Sequence, residues 1–223
     1  MFSLVWNFCS MADGLEKLIQ RDTGEKTKNS VSKDVRFLKH KRNGMNYSFE
    51  TKWIEYQDVK SDFRFCEYTC PAQNCMEENS GEQFLLLFLQ RGVAVVSFPD
   101  SGMETEIRSK QMVFIPSYTR WLVSAQECCY FLCVSFRHLR HAPFRPFLQA
   151  LEMVADQITY RFGVLRMCPA VCELVTDLRR QLCTGSSDWP FDPFDMFLAV
   201  YVHYPFEDLA RFHYPYLKNL KNE

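Results

Sequence analysis

Between Phe84 and Phe136 the chain breaks into six short apolar runs, "FLLLFLQ", "GVAVVSF", "METEIR", "QMVFIP", "RWLVSA" and "CCYFLCVSF". Turn-forming residues stand at the breaks: Arg91-Gly92, Pro99-Asp100-Ser101-Gly102, Ser109-Lys110, Pro116-Ser117 and Gln126-Glu127. Runs this short, repeating about every ten residues with turn chemistry between them, leave no room for helices and predict strands of an antiparallel sandwich or barrel. Upstream, "YSFETKWIEY" sets Tyr47, Phe49 and Trp53 among polar residues, the alternation of a half-buried strand. The stretch between them, "CEYTCPAQNCMEENSGEQ", reads as a polar loop ending in the turn "NSG".

The period then lengthens. In "CPAVCELVTDLRRQLC", Val171, Leu174, Val175, Leu178 and Leu182 fall on one helical stripe, while Asp177, Arg179 and Arg180 point away. "DWPFDPFDMFLAVYVHY" is apolar almost all round and predicts a helix buried between others. "PFEDLARFHYPYL" opens with Pro205, Glu207 and Asp208, a favourable helix start, and Pro215 is expected to end it. The fold class is therefore α+β, an antiparallel β-barrel followed by a helical C-terminal segment. The expected divisions are a polar leader over residues 1–44, the barrel over 45–136 and a helical packing segment over 137–223.

With 223 residues, 47% of them hydrophobic, the chain is able to bury a substantial core. Its net charge of −1 supplies no general attraction for nucleic acid or anionic membrane. Basic charge is concentrated in "KTKNSVSKDVRFLKHKRNG", where seven Lys or Arg face the single acid Asp34. That leader reads as solvated, with a nucleic-acid-contacting arm as the alternative. The start, "MFSLVWNFCS", is too short an apolar stretch for a bilayer span and lacks a basic leader, so no signal peptide and no membrane anchor are expected. Several of the ten cysteines sit inside apolar runs, where a thiol acts as a small hydrophobe, and a reduced, cytoplasmic setting is expected. Cys66, Cys70 and Cys75 form the one cluster whose spacing raises a metal or redox role.

Pocketed β-barrel enzymes of the cupin family hold a metal through two histidines and a glutamate from one strand pair and a further histidine from a later one. If Gly92 is the turn glycine of the first motif, Leu85 takes the glutamate place, and no histidine stands between Glu78 and Gly81. In the second motif Pro116 matches the proline, but Lys110 and Tyr118 stand at the two glycine positions and Trp121 at the histidine. No cofactor and no catalytic residue is expected, since the chain also lacks a nucleophile elbow and a glycine-rich phosphate loop. A metal-dependent cupin enzyme with rearranged ligands is the alternative. The aromatic content points instead to a lined cavity for a ligand: Phe84, Leu86 and Phe88 on one strand face, Trp121 and Tyr130 from neighbouring strands, and Tyr118 and Arg120 as polar contacts at the turn.

The barrel segment from Gln83 to Phe98 with "GMETEIRSKQMVFIPSYTRWLV" and "CYFLCVSF" resembles the N-terminal sensing domain of AraC-type transcription regulators. The tail "FDMFLAVYVHYPFEDLARFHYPYL" is similar to the helical segment that follows that barrel in members from Bacteroides-like bacteria. The resemblance covers about Met45 to Leu217. It implies a cupin-like jelly roll without metal that binds a small effector or a protein partner and forms a homodimer through helices packed on the barrel. It also implies a C-terminal pair of helix-turn-helix units. Nothing from Cys168 to Glu223 reads as a recognition helix, so no direct DNA binding is expected of this chain.

Overall fold

The computed structural model describes residues 41–42, 45–46, 51–55, 64–137, 145–184, 200 and 202–220. Most of the leader, most of the basic stretch "RHLRHAPFR" that reads as a solvated linker with His138 and His141 at i, i+3 spacing, and most of the apolar stretch before Val200 lie outside the described residues. Strands β1 (Lys41–Arg42) and β2 (Met45–Asn46) pair with each other. The next ten are β3 (Thr51–Glu55), β4 (Arg64–Cys70), β5 (Cys75–Asn79), β6 (Phe84–Arg91), β7 (Val93–Phe98), β8 (Met103–Arg108), β9 (Gln111–Ile115), β10 (Arg120–Ala125), β11 (Cys129–Phe136) and β12 (Val164–Arg166). They build two antiparallel sheets, β5-β10-β7-β8 and β12-β9-β6-β11-β4-β3. The result is the expected cupin-like sandwich with helices following the strands, an α+β fold.

Strand composition decides which sheet the helices cover. In the four-stranded sheet β7 alternates half-buried with buried residues and β10 does nearly the same, so one face meets the opposite sheet and the other meets water. In β6, by contrast, six consecutive residues from Phe84 to Leu89 are buried, and β9 and β11 are almost as closed. A strand apolar on both faces needs cover on both faces. Leu85, Leu87 and Leu89 point between the sheets, where they meet Val96, Trp121, Val123 and Phe131. Phe84, Leu86 and Phe88 point the other way, onto helices α1 (Arg145–Ala155), α2 (Pro169–Thr184), α3 (Phe206–Phe212) and α4 (Tyr214–Leu220). Helix α2 buries the predicted stripe through Val171, Val175 and Leu178. Each such side chain contributes about 1.5–3 kcal/mol on leaving water.

Three elements differ from the sequence reading. The stretch read as a polar loop holds the end of β4 and all of β5. Its inward positions are Cys66, Tyr68, Cys70 and Met76, so the apolar alternation is present but written in thiols, a phenol and a thioether. Pro215 does not end the helical tail: the chain pauses at His213 and Pro215 then enters the first turn of α4, where its missing N–H costs nothing. Finally β12, only three residues long, extends the larger sheet beside β9 from within the helical segment. Among the described residues no helix is long and apolar enough to cross a membrane.

Candidate functional site

The turn from Pro116 to Thr119 delivers β10 into the sandwich. Ser80, in the turn before β6, holds it from below: its hydroxyl donates to Pro116 O at 2.7 Å and accepts the Thr119 N–H at 2.9 Å. Lys110 and Tyr118 adopt left-handed backbone, with φ of 65° and 53°. These are the two positions set against the glycines of the cupin motif in the sequence, and both adopt the conformation that glycine takes without strain. Gly92 keeps both residue and conformation, at φ 100°, with a Cβ excluded by Cys129 Sγ at 2.7 Å and Cys128 O at 2.8 Å.

Beyond this turn Trp121 enters the space between the sheets, 1% exposed and opposite Glu78 in the β5–β10 ladder. Its indole lies edge-on to Tyr68, with centroids 6.5 Å apart, and Nε1 is buried without a hydrogen-bond partner among the described residues. Burial pushes the Tyr68 phenol well up from its ordinary value, and the thiols Cys66 and Cys133 and the carboxylate of Glu78 push it further. The Cys66 thiol is pushed up in the same way, by burial first and then by Cys133. The interior is thus a neutral, proton-retaining lining of indole, phenol and thiols. Its residues do not fit a cupin metal ion: Trp121 and Leu85 stand where ligands would be, and among the described residues no three His, Cys, Asp or Glu converge to hold one.

The seven residues expected to line a cavity are not brought together. Phe84, Leu86 and Phe88 share a face, as their spacing predicts, but it is the helix-facing one; Phe84 stacks on Phe114 at 5.7 Å and meets Tyr216 edge-on at 4.8 Å. Trp121 lies on the opposite side of the same sheet. Tyr130 is half-buried under the Arg179 guanidinium, 5.8 Å from its ring, and Arg179 also binds Glu67 at 2.9 Å, which pins α2 to the sheet. Tyr118 is 74% exposed at the turn. Arg120 bonds Glu77 at 2.7 Å across the outer face of β5 and β10, and that carboxylate raises the guanidinium's pKa.

An opening that the sequence reading missed lies at the edge of the helical layer. A cleft of about 560 Å³ is lined by Gln157, Ile158 and Thr159, from the segment leaving α1, together with Arg161 and Arg211 of α3. Arg211 is held by Asp208 at 3.6 Å, a long and half-exposed pair that leaves the guanidinium available to an incoming anion. Beside the cleft, Tyr160 stacks on Tyr214 at 5.1 Å, and Lys218 sits over Tyr214 while bonding Asp156 at 3.0 Å. Its two arginines are fifty residues apart in sequence, and no local pattern announces their meeting.

No family model matches the chain, and no curated protein matches it. Solved structures of similar shape include ToxT from Vibrio cholerae, at 12% identity and TM-score 0.46, covering 71% of this chain and 58% of that one. The Cnp3 cupin domain of Schizosaccharomyces pombe is similar at 10% identity and TM-score 0.35, covering 45% of this chain and 75% of that one. A cupin 2 conserved barrel domain protein from Leptotrichia buccalis has 6% identity and TM-score 0.34, covering 40% of this chain; the match spans only 41% of that protein.

Proposed function

We propose that this chain is a non-enzymatic sensing and pairing domain of the AraC type, whose effector is a small organic anion. The observation that carries the reading is the shared core of sheet and helices. Phe84, Phe114 and Phe136 of the larger sheet interlock with Phe212 and Tyr216 of the helical tail, so a displacement of the helices is felt by the barrel and the reverse. The effector site is the cleft at the rim of that core, where Arg161 and Arg211 supply charge, Gln157 and Thr159 supply hydrogen bonds, and Ile158 supplies an apolar wall. A carboxylate or phosphate seated there competes with Asp208 for Arg211 and so acts on α3 directly. Pairing through the helices completes the proposed role.

The test is a thermal-shift screen of the full chain against organic acids, sugars and divalent metals, with light scattering coupled to size-exclusion chromatography. A ligand at about a hundred times its Kd stabilises the folded state by about 2.7 kcal/mol. The expected result is a shift with an organic anion that Arg211→Ala abolishes, and a dimer at higher concentration. A shift with metals alone, together with stoichiometric iron, manganese or zinc in the purified protein, would overturn the sensor in favour of a metal-dependent enzyme. A strict monomer at every concentration would remove the pairing.

A further inference from the structure

Strands β4 and β11 carry two rungs of cysteine. In their antiparallel ladder Cys66 is directly opposite Cys133, and Cys70 is directly opposite Cys129. All four side chains are buried between the two sheets. Eight of the described cysteines, Cys66 and Cys133 among them, carry free thiols, and of these eight Cys75 and Cys128 are exposed.

The two rungs share register but differ in their surroundings. The outer pair turns apart: Cys70 Sγ donates to Asn74 O at 3.6 Å, while Cys129 Sγ donates to Glu127 O at 3.2 Å and Val93 O at 3.3 Å. In the inner pair the two thiols sense each other: after burial itself, Cys133 is what most raises the pKa of Cys66. Directly opposed residues of an antiparallel ladder have Cα atoms about 4.5–5.5 Å apart, within the range a disulfide spans. The inner pair therefore stands at a backbone separation that a disulfide spans.

We propose that Cys66 and Cys133 are a redox-convertible pair, which a small peroxide closes into a disulfide across the middle of the larger sheet. One sulfur, as thiolate, attacks a peroxide oxygen and becomes a sulfenic acid as water leaves; the other attacks that sulfur and expels the second water. Two electrons pass from the sulfur pair to the peroxide, and two protons leave with the two waters. Burial, which holds the Cys66 thiol in its protonated form, makes the first step slow and makes its rate climb with pH. The bridge closes a long loop, from before β5 to within β11, and so ties down the unfolded chain.

The experiment treats the full-length reduced protein with hydrogen peroxide over an alkaline pH series. Remaining thiols are then alkylated in denaturant, and the products are mapped by non-reducing peptide mass spectrometry. Cys75 and Cys128, being exposed, report that the oxidant has acted. The expected product is a peptide pair joined through Cys66 and Cys133, two hydrogens lighter than the separate peptides, formed faster at higher pH and reversed by dithiothreitol. Recovery of Cys66 and Cys133 as separately alkylated peptides from protein whose Cys75 and Cys128 are oxidised would overturn the proposal. A bridge confined to Cys70 and Cys129 would overturn it equally, since register alone would then govern. Cys133→Ser is expected to leave Cys66 unbridged, and the wild-type map decides even if that variant fails to fold.

Discussion

His213 closes the C-terminus of α3, its backbone N–H reaching Leu209 O at 2.9 Å, and its ring is fully buried with Phe114 edge-on at 5.0 Å. A helix C-terminus favours imidazolium by about 2 kcal/mol at most. Burial acts in the opposite sense and prevails, taking the pKa from 6.5 down to about 3. The folded protein thus holds a neutral ring, whereas the unfolded chain binds a proton below pH 6.5. Stability from this residue is complete above that pH and is lost progressively as pH falls from 6.5 toward 3. At about 1.36 kcal/mol per pH unit the full loss is about 5 kcal/mol, of which about 2 kcal/mol has gone by pH 5. His213→Phe keeps an aromatic ring against Phe114 and removes the titration. In urea unfolding between about pH 7.5 and about pH 5, the wild type should lose about 2 kcal/mol more than the variant. Parallel stability curves for the two proteins, or an imidazole resonance titrating near its ordinary pKa in the native state, would refute the reasoning.

Trp121→Ala should cost about 3–5 kcal/mol, whereas Trp121→Phe should cost about 1.5 kcal/mol or less because it also removes a buried indole N–H that has no acceptor among the described residues; chemical denaturation separates the two. Lys110→Gly and Tyr118→Gly should each add about 0.5–1 kcal/mol by relieving left-handed backbone, net of the extra freedom of an unfolded glycine. Gly92→Ala, at a turn of the same hand but with no room for a Cβ, should cost on the order of 2–3 kcal/mol, read as a fall in melting temperature. Arg179→Ala should cost about 1–2 kcal/mol, since it removes a half-exposed pair to Glu67 and a cation over Tyr130, and salt should weaken the wild type toward it.

The strands from β6 to β11 and the stripe of α2 were legible because period and turn chemistry agree there. Helix α1 was not read from the sequence although Leu148, Leu151 and Ala155 mark a buried face, for its start follows a basic stretch that reads as linker. Strand β12 has no periodicity to read; it is a strand because β9 offers it a ladder, a tertiary effect invisible to a local window. The lining residues failed to converge for a different reason. Alternation in "FLLLFLQ" identifies two faces but not which one looks into the sandwich, and Phe84, Leu86 and Phe88 belong to the face that the helices cover. The uninterrupted apolar run was itself the missing signal, because it demands cover on both sides of the sheet.

Left-handed backbone is held at Lys110 without glycine by its neighbours. Lys110 accepts a φ of 65° because the neighbouring ladder over-determines it: its N–H binds Leu89 O at 2.8 Å and its carbonyl accepts the Met167 N–H at 2.7 Å. A misplaced side chain in such a position costs about 1–2 kcal/mol, less than the two hydrogen bonds and the strand register would lose if the turn changed. The turn therefore forms without glycine, and the interior it opens onto is filled by Trp121, Tyr68 and the cysteines. On the larger sheet's other face Phe84 and Phe136 meet Tyr216, and the segment leaving α1 lines a cleft with Arg211 of α3. Helix packing at that rim is therefore free to change without reopening the well-packed interior.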